Sequence, residues 1–94
     1  VKVGYIQYNV LRNKYDNFHI IEQHLKNIAC DIVVLPEFCT SGYLFNDKNQ
    51  IKTVAEEVPL GESVLKFLDL SKKYKCSIVA GLLERDNNTL YNTA

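Results

Sequence analysis

The segment Asp31-Ile32-Val33-Val34-Leu35-Pro36 constrains the fold of this chain more than any other. A short, unbroken apolar run rich in β-branched residues reads as a strand buried on both faces, as in a parallel sheet. Pro36 has no backbone N–H to give to a ladder and ends the strand. Parallel strands need long crossover connections, usually helical, and the flanking sequence supplies them. Val1 to Tyr8 carries strong β-formers in near alternation, so the first strand is expected over about residues 2–9. Asn13 is a candidate N-cap with Asp16 three positions on. Phe18, Ile21, Leu25 and Ile28 then recur at helical spacing, which predicts a helix from about Lys14 to Ala29.

After Pro36 comes a long connection, Phe38 to Gly61, containing Ser41-Gly42 and Pro59. Connections of this length in compact domains are usually functional or carry a short helix, and Ile51, Val54 and Ala55 mark one. Val64, Phe67, Leu68, Ser71 and Tyr74 give a second helical stripe, from about Glu62 to Lys75. Ser77 to Leu83 reads as a third strand. Asp86-Asn87-Asn88 supports a tight reversal, with a fourth strand from Leu90 onward, antiparallel to the third. The order β-α-β-loop-α-β-β predicts a mixed sheet. Right-handed crossovers make its first three strands mostly parallel and place helices on one face.

Composition narrows the function. The chain has 94 residues, 47% hydrophobic and 23% charged, with 11 basic and 11 acidic side chains. A zero balance leaves no electrostatic footprint for nucleic acid or an anionic membrane. Ile78 to Leu83, the longest nearly apolar stretch, is too short to span a bilayer. The first residues lack the plan of a signal peptide. Cys30, Cys39 and Cys76 form neither a disulfide framework nor a zinc pattern, so the expectation is a cytoplasmic protein with reduced thiols. The chain does not start with Met and stops within an apparent strand, Leu90 to Ala94. The expectation is one portion of a longer protein, with no internal domain boundary.

In open α/β sheets, ligands bind at the carboxyl ends of the strands. Three loops qualify: Asn9–Asn13, Pro36–Phe45 and Glu84–Asn88. Glu37, directly after the most buried strand, is the leading candidate. Phe38, Tyr43, Leu44 and Phe45 would surround it with apolar surface, and partial desolvation makes a carboxylate a better proton acceptor near neutral pH. The alternative is a solvated loop glutamate that happens to follow a strand. The turn Tyr8 to Asn13 contains no glycine, which argues against a dinucleotide or phosphate site. Cys39 lies near Glu37, but a neighbouring carboxylate disfavours a thiolate. Cys30 and Cys76 read as small buried hydrophobes. His19 and His24 are spaced to splay apart rather than share a metal. Lys72-Lys73-Tyr74-Lys75 reads as the solvated end of the second helix, where cations complement the dipole. Glu84 has two open readings, a hydrogen bond within the crevice or a pair with the neighbours of Arg85.

Several segments together resemble the nitrilase superfamily, the carbon–nitrogen hydrolases. They are Val3-Gly4-Tyr5-Ile6-Gln7, Asp31 to Phe38 followed by Ser41-Gly42-Tyr43, Pro59-Leu60-Gly61, Ile78 to Glu84, and Leu90-Tyr91-Asn92-Thr93-Ala94, in register along essentially the whole chain. The resemblance implies that residues 1–94 are the N-terminal portion of one carbon–nitrogen hydrolase domain, an α/β fold forming part of a four-layer α-β-β-α sandwich. It implies a Glu-Lys-Cys triad hydrolysing an amide, carbamoyl or nitrile group of a small molecule, with no metal or organic cofactor and with assembly into at least a homodimer. Of the triad, only Glu37 matches a position here, as general base. The lysine and cysteine positions fall beyond Ala94, so the 94 residues alone are expected to be inactive. Tyr43 matches a position lining the region near the glutamate, a substrate-pocket candidate. The alternatives are a non-catalytic binding or scaffold domain with the same sheet, or a flavodoxin-like binding domain complete in itself. A lysine and a cysteine after the next strands would favour the enzyme; the glycine-free first turn argues against the flavodoxin-like reading.

Overall fold

The computed structural model describes residues 1–94 and contains β1 (Val3–Tyr5), α1 (Lys14–Leu25), β2 (Ile32–Val34), α2 (Lys48–Val54), α3 (Glu62–Tyr74), β3 (Ser77–Val79), β4 (Leu82–Asp86) and β5 (Thr89–Thr93). Strands β1, β2 and β3 form a parallel sheet in that order, and β4 and β5 form a separate antiparallel pair. The expected parallel arrangement of the first three strands is therefore present, with α1 and α3 in the crossovers.

Register explains the layering. Gly4, Val33 and Ile78 are lateral neighbours in the sheet. Ile6, Val33 and Leu35 pack with Phe18, Ile21 and Leu25 of α1 and with Phe67 and Leu70 of α3. Both helices thus cover one face. On the opposite face Val3, Tyr5, Val34 and Val79 remain 65%, 78%, 39% and 44% exposed. This corrects the expectation that the Ile32–Leu35 run is buried on both sides: Val33 is fully buried, but its alternation partner Val34 has no covering layer within these residues.

The helix ends follow local chemistry. The Asn13 side chain accepts from the backbone N–H groups of Tyr15 and Asp16, at 2.9 and 3.1 Å, and caps α1. The helix stops at Leu25 rather than Ala29. Asn27 N–H bonds the carbonyl of His24, and its side-chain amide takes that of Gln23, closing the last turn. Ile28, which the spacing placed on the stripe, is 40% exposed. Helix α2 lies where Ile51 and Val54 predicted a short helix, capped by Asp47. In α3 the buried positions are Ser63, Phe67 and Leu70. The buried face is rotated from the expected stripe, because Leu68 is 56% exposed. Glu56 receives both the backbone N–H of Ser63, at 2.8 Å, and its hydroxyl, placing a carboxylate at the positive end of α3. The Lys72–Lys75 cluster is less free than expected. Lys73 and the Tyr74 hydroxyl both reach Glu22 of α1, at 2.8 and 2.9 Å.

The main departure from expectation lies at Ala80-Gly81. Ser77 to Leu83 is not one strand: β3 ends at Val79 and β4 starts at Leu82. The loop after β2 crosses at this point. A Cβ on Gly81 would lie 2.7 Å from Glu37 Cα, 3.0 Å from the Pro36 carbonyl oxygen and 3.2 Å from Phe38 N. The Cys39 N–H bonds the Gly81 carbonyl at 2.9 Å. With the ladder interrupted, β4 pairs with β5 from Leu82↔Thr93 to Asp86↔Thr89. The reversal places Asn87 at φ 54°, a conformation asparagine tolerates.

Two consequences are measurable. Gly81→Ala puts a methyl against backbone atoms that cannot step aside, so it should cost about 1–3 kcal/mol of stability in urea denaturation of the full-length protein; an unchanged midpoint would mean that the loop does not cross there. The 94 residues produced alone should self-associate through the open face of Val3, Tyr5, Val34 and Val79. Sedimentation velocity showing a monomer, with a melt independent of concentration, would contradict this.

Candidate functional site

Glu37 follows β2 at the carboxyl end of the parallel sheet. Phe38, immediately after it, has φ 46°. A bulky residue in the left-handed region costs on the order of 1–3 kcal/mol and persists only where surroundings enforce it. Here the turn is closed by the N–H groups of Ser41 and Gly42 on the Phe38 carbonyl, at 3.2 and 3.0 Å. The sharp bend turns the side chains on either side of Phe38 in opposite senses. Glu37 stands exposed, and Cys39 is fully buried in the core.

Four attachments hold this turn. Gly81 receives it as described above. The Tyr8 hydroxyl, at the end of the first chain segment, donates to the Cys39 carbonyl at 2.6 Å, and burial holds that phenol in its protonated, donating form. Tyr43 hydroxyl donates to the Glu37 carbonyl at 2.9 Å, while its ring tilts against Phe38 with centroids 5.5 Å apart. Asn17 on α1 is fully buried and ties two loops together. Its amide nitrogen donates to the Leu11 carbonyl at 2.7 Å and to that of Thr40 at 2.9 Å, and its oxygen accepts from Leu11 N–H at 2.7 Å. Gly42, at φ 71°, allows the loops to touch: a Cβ there would lie 3.3 Å from the Leu11 carbonyl oxygen.

The structure therefore brings together two of the three expected loops, Asn9–Asn13 and Pro36–Phe45. The third contribution comes from elsewhere than expected. The Glu84–Asn88 segment runs into the reversal at the far end of the β4–β5 pair, whereas Gly81 and Asn92 approach Glu37. The Asn92 side-chain amide donates to Glu37 Oε1. Glu84, inside β4, accepts from the Thr93 hydroxyl at 2.7 Å, which selects a local hydrogen bond over a charged pair. The apolar enclosure expected around Glu37 is not formed by these residues: Leu44 is 77% and Tyr43 53% exposed. A groove of about 500 Å³ lies between α1 and α3, lined by Tyr15, Phe18 and Leu65 among others, and Glu37 is not part of its lining.

The cysteines and histidines divide clearly. Burial pushes the Cys39 thiol up to about 12. Cys30 and Cys76 carry their sulfurs 3.4 Å apart where α1 and α3 return to the sheet, both as free thiols. His19 and His24 are exposed on α1, and no three His, Cys, Asp or Glu side chains converge to hold a metal ion. Sequence reasoning missed Asn17 and Asn92, although each carried a signal. Asn17 occupies the buried stripe four residues before Ile21, where an amide must be satisfied. Asn92 lies in a strand, which asparagine disfavours.

The Cys39 environment gives a direct test. On the order of one Cys39 in ten thousand is ionised at pH 8, so iodoacetamide should leave it unmodified in the folded protein and label it in urea. The fold favours the neutral thiol, so its contribution to stability is complete below about pH 9 and is lost as pH rises toward 12. Native-state labelling of Cys39 at a rate near that of a free thiol would contradict its burial.

Comparison with known proteins agrees with this architecture. A family model described as carbon-nitrogen hydrolase matches residues 2–94. A nitrilase from Pyrococcus abyssi is 34% identical over 98 aligned residues, covering 100% of this chain and 37% of that protein. A protein N-terminal amidase from Schizosaccharomyces pombe is 26% identical over 98% of this chain and 33% of its own length. The crystal structure of an N-terminal amidase superimposes with TM-score 0.80 at 26% identity, over 97% of this chain and 23% of that one. The chain thus spans about a third of the length of the curated relatives it matches. It belongs to the carbon–nitrogen hydrolase family and carries part of the nitrilase-like fold.

Proposed function

We propose that the protein containing this chain hydrolyses a carbon–nitrogen bond of a small amide, carbamoyl compound or nitrile, with Glu37 as general base. The observation that carries the reading is the family match over residues 2–94, joined to the presentation of one carboxylate, Glu37, at the strand end where such folds bind ligands. The nitrilase and N-terminal amidase names of the relatives support the reaction class.

The chemistry assigned to Glu37 follows from what a carboxylate does. A cysteine thiol, which the family resemblance places beyond Ala94, is a weak nucleophile until it loses its proton. Glu37 accepts that proton as the sulfur attacks the carbonyl carbon. A lysine, likewise expected beyond Ala94, stabilises the oxyanion of the tetrahedral intermediate. The C–N bond then breaks, and Glu37 returns its proton to the departing amine. Glu37 next takes a proton from water, which attacks the thioester and releases the acid. A nitrile needs one more water: the thiol adds across the C≡N bond with its proton passed through Glu37 to nitrogen, giving a thioimidate, and a first water then adds and expels ammonia to give the thioester, which a second water hydrolyses. Tyr43, beside Glu37 and half-exposed, is proposed to line the entrance for substrate, its hydroxyl already occupied with the Glu37 carbonyl. Cys39 has no part in this scheme, being buried on the other side of the turn.

The test is kcat/KM of the full-length protein on a small amide. Glu37→Gln keeps size and one acceptor but cannot take a proton, so turnover should fall about 10²–10⁴-fold with the circular dichroism spectrum unchanged. A folded Glu37→Gln protein within about threefold of wild type would remove Glu37 from the mechanism.

A further inference from the structure

We infer that Asn92 is a positioning residue for Glu37, holding one carboxylate oxygen so that the other points at the proton it must take. The inference rests on Glu37 acting as the base. Its starting point is the hydrogen bond from the Asn92 amide nitrogen to Glu37 Oε1. The main chain of Glu37 is fixed by Gly81 on one side and the Tyr43 hydroxyl on the other. Those attachments fix where the side chain starts and leave its own torsions free. A glutamate has three such torsions and an exposed end, so an unrestrained carboxylate samples many positions. Asn92 is the group that the structure sets against the carboxylate itself.

The fold delivers Asn92 there through one constraint. Gly81 packs on Glu37, β4 begins at the next residue, and Asn92 faces Leu83 across the β4–β5 pair. Asn92 is therefore held on a strand whose register is anchored beside Glu37 rather than on a free loop. Its chemistry also suits the task. An ionised carboxylate only accepts, so the amide must present its nitrogen. A single neutral donor occupies Oε1 and leaves Oε2 open to a thiol or water. A lysine or arginine in that position would bind the charged form far more strongly and oppose its protonation.

The experiment uses full-length protein, with kcat and KM on a small amide at pH 7–8 for wild type, Asn92→Ser, Asn92→Ala and Asn92→Asp, each checked by thermal melting. Asn92 is exposed, so these variants should fold. Serine keeps a donor, alanine removes it, and aspartate keeps the shape but puts a second negative charge against Glu37. The expected order of kcat is wild type, Ser, Ala, Asp, with alanine about 10- to 100-fold down and KM nearly unchanged. In a Glu37→Gln background the same substitutions should have little further effect. A role in shape alone predicts the opposite order, with aspartate closest to wild type, and that result overturns the inference. So do Asn92 variants all within about threefold of wild type while Glu37→Gln is inactive, an outcome that leaves Glu37 as base. An active Glu37→Gln protein would instead remove the base itself, and the positioning role with it.

Discussion

The absence of a side chain at Gly81 is the constraint on which the other features depend. Two backbones approach there so closely that a single methyl would overlap Glu37 Cα. The loop after β2 can then cross the line of the third strand. That crossing stops the ladder at Val79, frees Leu82 onward to pair with β5, and gives the Cys39 N–H its partner in the Gly81 carbonyl. One glycine thus divides the strands into a parallel three and an antiparallel two. It also sets the height at which Glu37 leaves the sheet. The left-handed Phe38 is intelligible in this light. A chain confined by Gly81 on one side and obliged to return Cys39 to the core has room only for a sharp bend, and burial of Cys39 with closure of the turn offsets the local strain.

Polar groups secure what packing alone would leave loose. Asn17 lies among apolar side chains, where an unsatisfied amide would cost several kcal/mol. All three of its bonds go to backbone groups of the two loops, Leu11 in one and Thr40 in the other. Tyr8, three residues past β1, does the same for the Cys39 carbonyl. Directional bonds fix distances and angles that a slippery apolar contact does not, and a proton-transferring group needs its position held to a fraction of an ångström. The apolar core sets the fold, and this small set of hydrogen bonds sets the turn that carries Glu37.

The legibility of the sequence follows the same division. The β-branched run, the Asn13 cap and the helical stripe of Phe18, Ile21 and Leu25 are local signals, and each has its element in the structure. So has the short helix marked by Ile51 and Val54. What the sequence hid was non-local. Ser77 to Leu83 has the composition of one strand, and only the crossing loop, some forty positions earlier in the chain, divides it. The rotation of α3 that leaves Leu68 outside depends on how Phe67 meets Phe18, with ring centroids 4.9 Å apart. The position of Glu37 at the end of β2 was legible because it follows a proline-terminated strand. That of Asn92 beside it was not, because the two lie far apart in the chain and pairing register, not spacing, brings them together.

The open sheet face and the exposed carboxylate are two aspects of one geometry. Val34 and Val79, at the carboxyl ends of β2 and β3, are uncovered apolar residues of the sheet. A shallow groove of about 260 Å³, lined by Tyr5, Val34 and Pro36 among others, runs along that edge. A layer packed on Val34 and Val79 would bury the apolar surface that this face exposes. The apolar run that ends at Pro36 is thus divided by its own alternation: Val33 and Leu35 are buried against the helices, and Val34 stands on the open face.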